Sequence, residues 1–89
     1  MEDQGSSRRL SAVLIADIAG YTKLVEQDTE GTVSELKSVR SSVINPAISH
    51  LNGRIVKHTG DGFLAEFPSV QDAVDCAIEM QTGLRTSSL

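Results

Sequence analysis

The amino-acid sequence predicts one small α/β (α+β) domain in which helices cover one face of a β-sheet. The chain has 89 residues, which is room for a single domain. Its apolar residues recur every second position in some segments and every third or fourth in others, which indicates strands and helices. An apolar fraction of 39% and a charged fraction of 22% are those of a folded globular protein rather than a disordered tail.

Composition also argues against several classes of function. Lys plus Arg is 8 and Asp plus Glu is 12, a formal net charge of −4. The basic residues cluster only at Arg8-Arg9, so we expect neither nucleic acid nor a membrane as partner. The single cysteine, Cys76, suits a reducing compartment, and no apolar run reaches the ~20 residues of a membrane span. The polar start lacks a signal-peptide segment, so the expected location is cytoplasmic.

The first predicted element is a buried strand. Residues 10–16 form a short, nearly continuous apolar run that ends at Asp17. This length favours a strand buried on both faces over a helix. Gly20 then breaks the pattern, and Tyr21 to Gln27 can form a short helix. Residues 1–9, before the run, are expected to be a flexible lead-in.

A longer helix follows. Asp28 or Thr29 is suited to cap its N-terminus, Pro46 should kink or divide it, and Asn52-Gly53 should close it with glycine just after the end. Its apolar positions step by three and four, and they are Val33, Leu36, Val39, Val43, Ile44, Ala47, Ile48 and Leu51.

Two short strands and a last helix complete the predicted domain, which spans residues 10–85, with a tail at 86–89. Residues 54–59 and 63–67 read as strands, and the turn sequence Thr59-Gly60-Asp61-Gly62 between them predicts a hairpin. Ser69 with Asp72 is a variant of the capping box that begins the last helix. The positions expected to be buried on that helix are Val70, Ala73, Val74, Ala77 and Ile78.

The order β-α-α-β-β-α defines a topology. A right-handed crossover makes the first two strands parallel, and the hairpin makes the third strand antiparallel to both. This is the pattern of a ferredoxin-like βαββαβ sheet with helices on one face, truncated by the absence of its last strand.

The topology places two carboxylates together. Asp17 ends the first strand and Asp61 lies in the turn after the second, so both should lie at the edge formed by the C-terminal ends of the parallel strands, which we call the C-terminal edge. Gly20 and Gly60 nearby allow a ligand close to the backbone, and the helix that begins after Gly20 offers N–H groups to an anion. Two carboxylates facing such a helix suit a divalent metal that bridges to phosphate.

Each of these residues also has an ordinary structural interpretation. An Asp after a strand is often a cap or turn former, and Asp-Gly is a common hairpin signal. Lys57 resembles a charge that protects a strand edge, and His58 has no partner at metal-ligand spacing. Cys76 is expected to be a small buried apolar residue.

Two segments carry a resemblance to a known family. Residues 9–22, RLSAVLIADIAGYT, and residues 53–63, GRIVKHTGDGF, closely resemble the first strand with its metal loop and the hairpin of the class III nucleotide cyclases. These are the adenylate and guanylate cyclase catalytic domains, and the similarity is greatest to the bacterial adenylate cyclase branch. The segment 45–48 and the helix 72–77 also match, so the resemblance runs from Arg9 to Leu84.

The resemblance implies a role for each matched position. Asp17 and Asp61 match the two metal-binding aspartates, and the Ile18 backbone carbonyl matches a third ligand of two Mg²⁺ (or Mn²⁺) ions. Lys57 matches the position that selects the base, and a lysine donor suits the adenine N1 acceptor. The residues that match the substrate-binding loops are Ala19, Gly20, Tyr21, Thr22 and Gly60.

The implied reaction converts ATP to cyclic AMP and pyrophosphate in a dimer whose sites are built across the interface. The expected partner is a second copy or a completing cyclase half. The sequence matches only the first half of the family's catalytic domain, and the Asn and Arg that stabilise the transition state fall in the other half. We therefore expect this chain alone to be inactive.

Two other functions remain open at this point. A catalytically silent, cyclase-derived module for nucleotide binding or dimerisation would also retain the first half of the domain. A diguanylate cyclase shares the sheet topology, but its signature is Gly-Gly-Asp-Glu-Phe, whereas residues 59–63 read Thr-Gly-Asp-Gly-Phe. The lack of the first Gly and of the Glu disfavours that activity.

Overall fold

A computed structural model describes residues 11–85, so Leu10, the expected lead-in at 1–9 and the expected tail at 86–89 lie outside the described residues. The described elements follow the predicted order. The strands are β1 (Ala12–Asp17), β2 (Arg54–His58) and β3 (Gly62–Phe67), and the helices are α1 (Tyr21–Gln27), α2 (Thr29–Val39), α3 (Asn45–His50) and α4 (Val70–Leu84), with a π-helical segment at Arg40–Ile44 between α2 and α3.

The sheet has the order β1-β3-β2, and β3 is antiparallel to both of its neighbours. Strands β1 and β2 therefore run parallel to each other on either side of β3, as the crossover and the hairpin predict. The register pairs Ala12 with Phe67 and Asp17 with Gly62. A shift between Ile55 and Lys57 interrupts the β2–β3 ladder. The α+β, ferredoxin-like fold class is confirmed.

Strand β1 is covered on one face only. Ala12, Leu14 and Ala16 pack against the core, whereas Val13 is 56% exposed and Ile15 72% exposed. The expectation of a strand buried on both faces is wrong for the described residues. The reason is that the helices of the core pack on a single face, which leaves the second face, here called the open face, to solvent.

The core lies between β3 and the helices. Its buried residues come from the π-helical segment, β3 and every helix except α1, and they are Val39, Ile44, Ala47, Ile48, Phe63, Ala65, Phe67, Ala73, Cys76 and Met80. Cys76 is fully buried, as expected of a small apolar residue. Its burial, with the charge of Glu79, raises the pKa of the thiol to about 11, so the side chain is an unreactive thiol at neutral pH.

Local capping signals set the helix starts. The Asp28 carboxylate accepts the backbone N–H of Gly31 at 2.9 Å at the start of α2. The Ser69 hydroxyl accepts that of Asp72 at 3.1 Å at the start of α4. Both predicted caps are confirmed, since each side chain satisfies an N–H that the first turn leaves without a partner.

The long helix is divided, as Pro46 predicts. Pro46 lies at the start of α3, where its missing N–H costs least. The end of α3 differs from expectation, because Asn52 and not Gly53 takes the left-handed position, with φ 66°. The Asn52 and Gly53 N–H groups donate to Ser49 and Ile48 at 3.2 and 2.8 Å, which is a Schellman motif.

Helix α4 buries a different face from the one predicted. Val70, Val74 and Ile78 are 71%, 47% and 59% exposed, although the periodicity marked them as core. Ala73 is buried as predicted, and the residues buried with it are Cys76 and Met80. The two sets form stripes about 130° apart on the helix surface, and contact with the sheet selects the second. Val33 of α2 is likewise 48% exposed.

Candidate functional site

The two predicted metal-binding aspartates lie on adjacent backbone segments. The N–H of Ile18 donates to the backbone carbonyl of Asp61 at 3.0 Å, and Asp17 pairs with Gly62 in the β1–β3 ladder. The structure thus brings Asp17 and Asp61 together at the C-terminal edge, although 44 positions separate them in the sequence. Asp17 is exposed and Asp61 is half-buried, so ligands can reach both carboxylates.

A tight turn connects Asp17 to α1. The Tyr21 N–H donates to the Ile18 carbonyl at 3.2 Å, and the Leu24 N–H donates to the Gly20 carbonyl at 3.1 Å. Gly20 has φ 72°, a left-handed conformation that favours glycine. The turn therefore sets residues 19–22 beside the aspartates. The Ile18 carbonyl retains a second lone pair beyond its bond to Tyr21.

The hairpin turn holds Asp61 through backbone contacts. The Thr59 N–H donates to the Gly62 carbonyl at 3.0 Å, next to the last ladder pair of His58 and Phe63. Gly62 is buried, and a Cβ atom at this position would collide with the Ala16 carbonyl oxygen. Only glycine allows β1 and β3 to approach this closely beside the aspartates.

Arg40 contacts this turn, a role that no sequence pattern predicted. Its Nη2 group donates to the carbonyls of Thr59 at 3.0 Å and Gly62 at 3.3 Å. Arg40 stands 19 positions before Thr59, and no local motif links them. Its signal in the sequence is a single basic residue next to the apolar positions of the long helix, which does not by itself predict a partner.

A cavity of about 570 Å³ adjoins the aspartates. Its polar lining includes Asp17, Arg40, Asp61 and Gln81, while the apolar lining comes from β1, α1, α2, the π-helical segment, the start of β3 and α4. Of the residues assigned to substrate-binding loops, Ala19 lines the cavity. Gly20 and Gly60 lie in turns and Tyr21 and Thr22 begin α1, and none of these four is part of the cavity lining.

Lys57 lies on the open face of the sheet. It pairs with Leu64, which pairs on its other side with the exposed Ile15. Asp17 shares the exposed side of β1 with Ile15, because alternate residues of a strand face the same way. Two strand spacings across and two residues along give about 12 Å between the Cα positions of Lys57 and Asp17. A ligand that reaches both must be extended.

The donor set is one of hard oxygen ligands. Within residues 11–85, no group of three or more His, Cys, Asp and Glu side chains could hold a metal ion. Two carboxylates with a nearby carbonyl fit Mg²⁺, which takes one or two carboxylates and completes its shell with water and substrate phosphate oxygens. The same range contains no helix that is long and apolar enough to cross a membrane.

Comparisons with known proteins agree with this architecture. The chain is 38% identical over 88 residues to a Rhizobium meliloti (strain 1021) protein named "Putative adenylate cyclase 3". It is 45% identical to the adenylate/guanylate cyclase/hydrolase of Silicibacter pomeroyi, whose crystal structure superposes with a TM-score of 0.73 over 90% of this chain. No protein-family model matches the sequence.

The match covers part of each relative. The chain spans 15% of the length of the Rhizobium meliloti protein and 46% of the Silicibacter pomeroyi chain. The matched parts nevertheless include nearly the whole of this chain, with the sheet and both aspartate-bearing segments. The ferredoxin-like fold and the identity to these two proteins together support a class III cyclase-like domain in this chain.

Proposed function

We propose that this chain supplies the metal- and ATP-binding part of an adenylate cyclase catalytic domain. The observation that carries the proposal is the backbone hydrogen bond from Ile18 to Asp61, which fixes Asp17 and Asp61 side by side. Lys57 supports it, because its place on the same open face leaves about 12 Å for an extended ligand. A nucleotide with its base near Lys57 and its phosphates near the aspartates fits this span.

Two Mg²⁺ (or Mn²⁺) ions would be held by the carboxylates of Asp17 and Asp61 and the backbone carbonyl of Ile18. Bound there, the metal would favour deprotonation of the ribose 3′-hydroxyl and neutralise charge on the triphosphate. The aspartates provide the negative charge that selects a divalent cation. The turn after Asp17 leads into α1 at the same edge, where N–H groups of its first turn beyond that of Tyr21 would donate to phosphate oxygens.

The reaction that follows is an intramolecular displacement. The 3′-oxygen bonds to the α-phosphorus as the bond from that phosphorus to the pyrophosphate oxygen breaks, and the hydroxyl proton leaves to solvent. Lys57 would donate to adenine N1 and so orient the base. By family resemblance, a second copy or a completing half would supply the Asn and Arg that bind the transition state.

Replacement of either aspartate tests the site. Mn²⁺ with ATP, at about ten times the dissociation constant, should stabilise the chain by ~1.4 kcal/mol, a shift in melting temperature on the order of 5–10 °C. Asp17→Asn or Asp61→Asn should abolish the shift, because each removes a charged oxygen ligand. Differential scanning fluorimetry measures it.

The matched control is Asp75→Asn on α4, the same chemical change at a carboxylate bonded to Gln71. This variant should keep the full shift. If the doubly substituted Asp17→Asn, Asp61→Asn chain folds and still gains the same stabilisation, the assignment of the metal site is wrong.

A charge reversal at Lys57 tests base selection. Lys57→Glu should reduce the preference for ATP over GTP, because a carboxylate accepts from the guanine N1–H and amino group. The ratio of the two dissociation constants, measured by titration in the presence of Mn²⁺, gives the preference. Lys37→Glu, at an exposed position of α2, is the control and should leave the ratio unchanged. An unaltered ratio in Lys57→Glu would remove Lys57 from the site.

The second candidate is a catalytically silent module that binds nucleotide or mediates dimerisation. The observation behind this candidate is that the chain spans only 15% and 46% of the lengths of the two relatives. This function predicts nucleotide-dependent stabilisation through Asp17 and Asp61 but no cyclic AMP even after a family-like second half is supplied. Product formation by the completed domain separates the two candidates.

A further inference from the structure

We infer that Arg40 is a positioning residue that fixes the hairpin turn carrying Asp61. A single amino group of its guanidinium donates to both the Thr59 and Gly62 carbonyls, at 3.0 and 3.3 Å. These carbonyls stand at the two ends of the turn, where the Thr59 N–H also donates to Gly62. The value of this turn for metal binding rests on the proposed function, whereas the contact itself does not.

The helix geometry delivers Arg40 to the turn. Arg40 begins the π-helical segment, in which the Asn45 N–H donates to the Arg40 carbonyl five residues back. Such a segment accommodates one extra residue and occurs frequently at functional sites. Val39 and Ile44 on either side are 4% and 8% exposed, so the backbone that carries the arginine is anchored in the core.

The chemistry of the contact suits a positioning role. Hydrogen bonds from a charged donor are roughly twice as strong as neutral ones, and the planar guanidinium fixes the directions of the two N–H bonds on Nη2. Both bonds go to backbone carbonyls, so they hold the turn without occupying the carboxylate oxygens of Asp61. Arg40 also lines the cavity with Asp17 and Asp61.

The test combines ligand affinity with a local measurement of the turn. In Arg40→Ala, affinity for Mn²⁺ with ATP should fall about 10-fold or more, as is typical when groups that orient metal ligands are removed. Amide hydrogen exchange at Thr59, followed by NMR without ligand, should accelerate by a similar factor. Arg40→Lys keeps the charge but not the planar guanidinium, and should recover part of the affinity and part of the protection from exchange.

Arg54→Ala is the matched control, because Arg54 pairs with Glu66 on the open face away from the turn. It should leave both readouts unchanged. The inference is overturned if Arg40→Ala matches the unsubstituted chain within twofold in both ligand affinity and the exchange rate at Thr59. Where the alanine variant does not fold, Arg40→Lys is compared in the same way. The inference is also overturned if Arg54→Ala causes equal losses. If the unsubstituted chain does not bind Mn²⁺ with ATP, the proposed function fails, and exchange at Thr59 alone decides the role of Arg40.

Discussion

The 89-residue chain, purified alone and supplied with ATP and Mn²⁺, is expected to form cyclic AMP at the rate of the buffer background. By family resemblance, the Asn and Arg that stabilise charge on the α-phosphate belong to the half that these residues do not match. Loss of one such preorganised donor typically costs ~10²–10³ in rate, and here a pair is missing. Chromatographic detection of cyclic AMP measures the rate.

Addition of a family-like second half should restore turnover and yield a defined dimer. The chain alone should associate, because β1 pairs only with β3 among the described strands. The other edge of β1 can pair with a strand of another chain. Light scattering should then show dimers or larger species. Metal-dependent cyclic AMP formation by the chain alone, lost in Asp17→Asn, would contradict this prediction.

Gly62→Ala should destabilise the domain strongly. The added Cβ would meet the Ala16 carbonyl oxygen and lie 2.7 Å from the Cα of Asp17. Because these are backbone atoms in a paired ladder, relief requires separation of β1 from β3. Overpacking of this kind costs roughly 1–3 kcal/mol, which at this chain length lowers the melting temperature by roughly 4–24 °C.

Gly60→Ala, in the same turn, is its control. A Cβ at Gly60 meets no atom within 4 Å, and the melting temperature should change little. Thermal unfolding followed by circular dichroism compares the two variants. Equal melting temperatures for Gly62→Ala and Gly60→Ala would show that the close approach of β1 and β3 does not stabilise the domain.

The features that the sequence predicted correctly are those fixed by neighbours along the chain. Asp28 and Ser69 cap helices because each bonds to an N–H three residues away, and Pro46 divides a helix through its own missing N–H. The juxtaposition of Asp17 and Asp61 also followed, because strand direction and crossover hand leave few alternative topologies.

The predictions that were wrong or missing concern features that depend on contacts between distant segments. Periodicity on α4 fits two stripes, and only packing against the sheet buries Cys76 and Met80 instead of Val74 and Ile78. The role of Arg40 requires a π-helical segment and a hairpin that lies 19 or more positions away. Neither the π-helical segment nor its approach to the hairpin has a local sequence pattern. The contact between Arg40 and the turn therefore exists only in the folded chain.

The alternation of β1 has an evolutionary consequence. Asp17 shares a face with Val13 and Ile15, whereas Leu14 and Ala16 pack against the core. The alternation of side chains along the strand therefore ties the face on which the carboxylate lies to the packing of the apolar residues. A one-residue insertion or deletion inside Ala12–Asp17 would either turn the carboxylate toward the core or turn the apolar residues out of it. Within this strand, length changes in related chains should therefore be confined to steps of two residues.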